Sequence, residues 1–181
     1  MREIEGIDEV VAKLKPHFAT ITEHFEHENR IFVGLIASPH DTLGRILKCH
    51  IVVEHYLDRF LSKHFKINDF GNLRFSFAQK ATLLPNEGSA AAFVKPGVFQ
   101  LNRIRNRFAH SLGAELSAEE LKPIHPVLGI ARPGVAFESP VEAIEAFTTV
   151  ACTFLIVAPP ELQQILAEAF SSVRLSADSP D

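Results

Sequence analysis

The sequence predicts an all-α protein, a helical bundle, on three observations. Apolar residues recur at three- and four-residue spacing along most of the chain. Helix start and stop signals punctuate it at short intervals. No segment carries the period-two alternation of a half-buried strand, and no internal repeat is present.

The elements follow in order. Ile7, Val10, Val11 and Leu14 outline a first helix, which Pro16 ends. A second helix is expected from about Phe18 to Ala37, closed by Ser38-Pro39. Asp41 or Thr42 can cap a third, longer helix reaching about His64. Its apolar positions Leu43, Ile46, Leu47, Ile51, Val53, Tyr56, Leu57, Phe60 and Leu61 mostly share one broad face. Asn68, Asp69 and Gly71 then form a loop before a helix at about Asn72 to Leu84, and the run Pro85 to Ser89 breaks the chain again. Small residues lead to Pro96-Gly97, after which a helix carries Arg105. Ser117 and Glu120 have capping-box spacing for a short helix ending near Pro123. The Pro- and Gly-rich stretch from Pro123 to Gly134 reads as loop.

Ser139-Pro140-Val141-Glu142 combines an N-cap, a proline in the first turn and an early acid, a strong helix start. That helix, to about Val157, is apolar around most of its circumference and belongs in the core or at a subunit interface. Pro159-Pro160 interrupts it, and a last amphipathic helix is expected from Glu161 to Val173. The expected organisation is one helical domain over residues 1–175, with a frayed tail at 176–181.

A chain of 181 residues is long enough to bury one proper core. Its 46% hydrophobic and 22% charged residues exclude a disordered or fibrous class. Fifteen Phe against one Tyr and no Trp assign most aromatic weight to packing. A net charge of −4 argues against a protein that coats nucleic acid with its whole surface. Cys49 and Cys152 lie far apart in apolar segments and read as buried, reduced thiols. No membrane span is expected, and the N-terminus lacks the apolar core of a signal peptide, so the expected location is cytoplasmic.

The segment richest in chemistry is Phe99 to His110. At 100° per residue, Leu101, Ile104 and Phe108 share one side of a helix and face the core. Asn102, Asn106 and His110 form an i, i+4, i+8 stripe on the opposite arc, flanked by Arg105 on one side and by Arg103 and Arg107 on the other. Between residues 71 and 110 stand six basic residues (Arg74, Lys80, Lys95, Arg103, Arg105, Arg107) against one acid, Glu87. A basic patch on an acidic protein suits a specific anion site. Such a site can cleave a phosphodiester by general acid–base catalysis. A histidine moves the proton of an RNA 2′-hydroxyl or of the leaving oxygen, while an arginine holds the phosphate by forked hydrogen bonds. That chemistry uses no metal and no cofactor. The structural alternative stays open: the arginines and asparagines can cap neighbouring helix ends, and His110 can simply mark a helix terminus before Ser111 and Gly113.

Arg105-Asn106-Arg107-Phe108-Ala109-His110 resembles the Arg-polar-x-x-x-His motif of the HEPN superfamily of helical-bundle proteins. The wider string Ile104 to Ser111 is similar to the corresponding stretch of mannitol-repressor-like proteins. Glu54 to Phe65 and Phe75 to Leu84 have the character of the preceding helices, so the resemblance covers about residues 40 to 125. It implies an antiparallel four-helix core with flanking helices. It implies a metal-independent endoribonuclease of toxin–antitoxin or phage-defence type, with Arg105 and His110 catalytic and Asn106 supporting them. Arg103, Arg107 and Asn102 are then the residues expected to bind nucleic acid. RNA is the expected substrate, and an antitoxin or regulatory protein is a further expected partner. The alternative that the resemblance implies is a non-catalytic regulatory or protein-binding module.

A two-fold homodimer is also expected. The helix from Val141 to Val157 carries more apolar surface than one contact hides, and a single Arg105–His110 helix supplies one acid–base group where two serve better. Two other histidine groupings carry less. His50, Glu54 and His55 have a spacing that matches neither zinc-protease pattern and read as packing or solvated residues. His24 and His27 lie one turn apart without an evident third ligand.

Overall fold

The computed structural model describes residues 15–17, scattered positions from 19 to 30, residues 40–111 and 113–157, and Glu168. The chain divides into two compact units, Met1–Ser38 and Pro39–Asp181. In the first, Lys15–His17 form an exposed 3-10 turn, and the positions described between 19 and 30 are helical and exposed. The expected helix at Ile7–Leu14, the tail at 176–181 and His24 lie outside the described residues, as do much of the expected helix Phe18–Ala37 and all of the expected helix Glu161–Val173 but Glu168, which is helical.

The second unit is an all-α helical bundle, with no strand among the described residues. Its elements are α1 (His40–Phe65), a 3-10 turn at Phe70–Asn72, α2 (Phe77–Thr82), α3 (Ala90–His110), a 3-10 turn at Glu119–Leu121, α4 (His125–Ala131) and α5 (Pro140–Phe154). The long helices α1, α3 and α5 pack against one another. The short helix α2 lies on α1 and α3, and α4 lies on α5.

In α1 the core seam is Ile46, Cys49/His50, Val53, Leu57 and Phe60/Leu61, a strict alternation of threes and fours. Leu47 and Ile51, expected on that face, point outward at 38% and 57% exposure. They sit one step of 100° past the seam positions 46 and 50, and the place they would fill is taken by a histidine.

Helix α3 corrects one reading. The Pro96-Gly97 pair does not start the helix but lies inside it, twenty-one residues running unbroken from the Ser89 cap to His110. An interior proline removes one hydrogen bond and costs about 3 kcal/mol. Burial of Val94, Val98, Leu101, Ile104 and Phe108 along the same helix offsets this. Gly97 is there for close approach, since a Cβ at this position would lie 2.4 Å from the Phe147 ring of α5.

Two further boundaries differ. The expected helix Asn72–Leu84 is a 3-10 turn followed by the six-residue α2, opened by Ser76 and Gln79 in a full capping box. The expected loop Pro123–Gly134 contains α4. Pro126 falls in its first turn, where no amide hydrogen is needed, and Val127 and Leu128 anchor it in the core. The start of α5 is as expected: Ser139 Oγ accepts from the Glu142 amide, and Glu142 reaches back to the Glu138 amide. Arg45 and Glu145 join α1 to α5 through two charged hydrogen bonds of 2.9 and 2.7 Å.

Candidate functional site

The polar arc of α3 emerges where α1, α2 and α3 meet. Leu101, Ile104 and Phe108 face the core as the helical projection requires, and their burial fixes the rotation of everything opposite. Asn102, Arg105 and Arg107 are half-buried, whereas Arg103, Asn106 and His110 are exposed.

Asn102 faces His50 of α1, its Oδ1 3.2 Å from the imidazole Nε2, so that nitrogen carries the donated proton. The other support of the ring is Phe77, the first residue of α2, stacked on it with centroids 4.0 Å apart. His50 is 6% exposed. Burial holds its pKa below the ordinary value of 6.5 against the raising effect of the Asn102 bond, and the positive charge of Arg105 lowers it further.

Arg105 donates from one terminal nitrogen to Asn106 Oδ1 at 3.0 Å. Its Nε is buried and has no hydrogen-bond partner among the described residues. A buried donor without an acceptor costs about 1–3 kcal/mol, so such a group marks a place where something else binds or where strain is kept for use. His110 is the last residue of α3, exposed, with Ser111 as the cap that follows.

Arg107 has a different environment. Its Nε and one terminal nitrogen form a fork on Glu120 at 2.8 and 2.6 Å, and the same terminal nitrogen donates to the Glu115 carbonyl at 2.7 Å. Glu120 in turn accepts from the Ser117 amide and hydroxyl. Partial burial pushes this carboxyl up, but the Ser117 hydrogen bonds and the Arg107 charge outweigh it and hold the pKa below 4.5. The guanidinium expected to bind nucleic acid therefore ties the 3-10 turn to α3.

Two more of the six basic residues of 71–110, Lys80 and Lys95, are likewise engaged within the protein. Lys80, 4% exposed, donates to Glu54 at 2.9 Å and to Asp58 at 3.0 Å. Burial lowers its pKa, and the two carboxylates more than reverse this. Lys95, 6% exposed, closes the C-terminal end of α2 by donating to the carbonyls of Thr82 and Leu84 and to Asn86 Oδ1. With no carboxylate among these acceptors, burial lowers its pKa. What remains for a ligand is Arg74, Arg103 and Arg105, so the expected basic patch is narrower than the sequence count suggested.

The zinc-like trio separates in the same way. Glu54 is held by Lys80, and His55 lies exposed with its ring edge-on to Tyr56. Among the described residues no three His, Cys, Asp or Glu side chains are grouped to hold a metal. Cys49 and Cys152 are buried and unbridged, and burial together with the neighbouring Cys49 pushes the Cys152 pKa up to about 11.

Sequence reasoning assigned no role here to His50 or Phe77. Position 50 belongs to the core seam one turn beyond Ile46 and one before Val53, and a histidine on such a seam needs a buried partner. That pattern was available as a signal; the identity of the partner, fifty-two residues away, was not.

Compared with protein-family models, with curated proteins and with solved structures, the chain matches none.

Proposed function

We propose that this protein is a HEPN-like, metal-independent endoribonuclease of toxin–antitoxin or phage-defence type, acting in the cytoplasm as a homodimer. The observation that carries the reading is Arg105, a half-buried arginine whose buried Nε has no hydrogen-bond partner among the described residues, adjacent to Asn106 and beside the His50–Asn102 pair. The motif residues Arg105, Asn106 and His110 supply the chemistry, and the resemblance of this segment to HEPN proteins names it.

In the proposed reaction the RNA 2′-oxygen forms a bond to phosphorus and the bond from phosphorus to the 5′-oxygen breaks. A base takes the 2′-hydroxyl proton, and an acid supplies one to the departing 5′-oxygen. Arg105 binds the non-bridging oxygens and stabilises the charge that builds on them. His110 serves as one acid–base group, and His110 of the second subunit serves as the other. Arg103, exposed and without an ion-pair partner among the described residues, contacts RNA backbone. Asn102 orients His50 instead of meeting RNA directly. An antitoxin or regulatory protein is the partner expected to restrain the enzyme.

The test is RNA cleavage by the purified protein in EDTA, with cyclic phosphate and 5′-hydroxyl ends as products. Subunits carrying Arg105→Ala mixed with subunits carrying His110→Ala should regain part of the activity through composite sites. A wild-type protein that leaves RNA intact with or without divalent cations would sink the nuclease reading and favour the non-catalytic regulatory module.

A further inference from the structure

We infer that the loop joining α1 to α2 is a stacking platform for single-stranded nucleic acid, which under the proposed function is the RNA substrate. The surface presents Phe65 and Phe75, backed by the buried Phe70, with Lys63, Lys66 and Arg74 exposed on the same stretch of chain. The choice of RNA rests on the nuclease reading; the surface itself does not.

The three rings form a ladder. Phe65 and Phe70 lie 6.3 Å apart at 18°, and Phe70 and Phe75 lie 5.5 Å apart at 20°. The middle ring is 2% exposed and rooted in the core, while the outer two are 42% and 41% exposed. Two large aromatic side chains, each nearly parallel to the buried ring between them and left to water, are costly for a solvated loop. The arrangement suits a ligand with flat faces of its own.

The backbone fixes the ladder in advance. Helix α1 ends in a Schellman motif, with Lys66 in the left-handed region at φ 56° and the Ile67 amide donating to the Ser62 carbonyl at 3.0 Å. The Ser62 hydroxyl accepts from the Phe70 amide, the Leu73 amide donates to the Phe70 carbonyl, and the Phe75 amide to the Leu73 carbonyl. Little ordering entropy is left to lose on binding.

Charge selects the ligand. Lys63, Lys66 and Arg74 are exposed and have no ion-pair partner among the described residues. The acid within the loop, Asp69, accepts from the Asn72 side-chain amide at 2.9 Å and keeps its charge, so residues 63–75 carry three cations against one anion. Exposed ring faces on the same stretch of chain as exposed cations match the bases and phosphates of a single strand. The platform also leads to the candidate site: two residues beyond Phe75, Phe77 stacks on His50, which is bonded to Asn102.

The experiment uses the full chain carrying His110→Ala, so that the probe survives, and fluorescence anisotropy with labelled oligo-U and oligo-dT of about twelve nucleotides. Both strands should bind within a few-fold of each other, because rings and ammonium groups do not read the 2′-hydroxyl. Phe65→Leu and Phe75→Leu keep an apolar side chain beside Phe70 but remove the flat face, and should each weaken binding about fivefold or more. Lys66→Ala and Arg74→Ala should each lower the salt slope by about 0.7. If a Leu variant fails to fold, the two salt slopes decide alone. Leu variants that bind as the parent does, equal affinity for blunt duplex RNA, or conversion of a dimer to monomers by either Leu change would overturn the platform. Cleavage by the wild type is scored separately. RNA cleaved with unchanged Leu variants loses the platform and keeps the nuclease, whereas Phe-dependent binding without cleavage does the reverse.

Discussion

Arg105 and Arg107 stand two residues apart on one helix, yet their surroundings are opposite. On the side of α3 that faces the 3-10 turn, Arg107 has a carboxylate fork and a carbonyl, every bond 2.8 Å or shorter. On the side that faces α1 and α2, Arg105 has a single amide oxygen and a buried nitrogen with no partner among the described residues. The first arrangement is complete without a ligand and the second is not. Two arginines of one polar arc are thus separated by what the fold brings to each: Glu120 to one, an uncharged histidine and an asparagine to the vicinity of the other.

The widest separation between the two should appear in activity. Under the proposed function, Arg105→Ala removes the donor to the phosphate and should lower the cleavage rate by about 100-fold or more. Arg107→Ala should leave the rate within a few-fold of the parent. Single-turnover cleavage of one RNA by both variants measures this, and equal losses would collapse the distinction drawn here.

Next comes the packing that fixes both sides at once. Gly97→Ala places a methyl group against the Phe147 ring and should destabilise the bundle by about 1–3 kcal/mol, measured by urea unfolding. An unchanged midpoint would mean that α3 and α5 adjust freely, and the rotation of α3 would then not be set where the close contact places it.

Smaller again is the stability effect of Arg107→Ala. The pair is partly exposed, at 37% and 23%, so its loss should cost about 1 kcal/mol, less than a buried pair would. Arg105→Ala should be neutral or slightly stabilising in the same melts, because it removes an unsatisfied donor.

The smallest effect is a two-step dependence of stability on acid. His50 has a lowered pKa in the fold, so the unfolded chain binds its proton first. The contribution is complete above 6.5 and falls as pH drops from there to the folded value. Glu120 is also lowered, but as an acid. Its contribution is present above 4.5 and falls as pH drops through the folded value. His50→Gln should flatten the upper step and Glu120→Gln should reduce the lower one, read as differences from the parent in unfolding free energy against pH. A His50→Gln curve parallel to the parent between pH 5 and 7 would show that the imidazole titrates alike in both states.

Much of the fold was legible because helix periodicity is local. The 3-4 spacing of Leu101, Ile104 and Phe108 located the core side of α3, and Ser139-Pro140 located the start of α5 within a residue. The errors were local as well. Pro96-Gly97 and Pro123–Gly134 carry breaker residues, yet tertiary burial of their neighbours outweighed the propensity. Leu47 and Ile51 were expected on the broad apolar face of α1, although the seam runs through Ile46 and His50 beside them.

For the candidate site, the sequence by itself determined which residues share an arc of α3, because 100° per residue follows from backbone geometry alone. It also placed a helix cap at Ser139 and a box at Ser117–Glu120. Only the tertiary structure decided which of the basic residues are available. Whether a charge is solvated, paired or buried depends on partners distant in sequence, as Lys80 with Glu54, Arg45 with Glu145 and His50 with Asn102 show. A one-dimensional pattern carries the direction in which a side chain points. It does not carry what another helix has placed opposite.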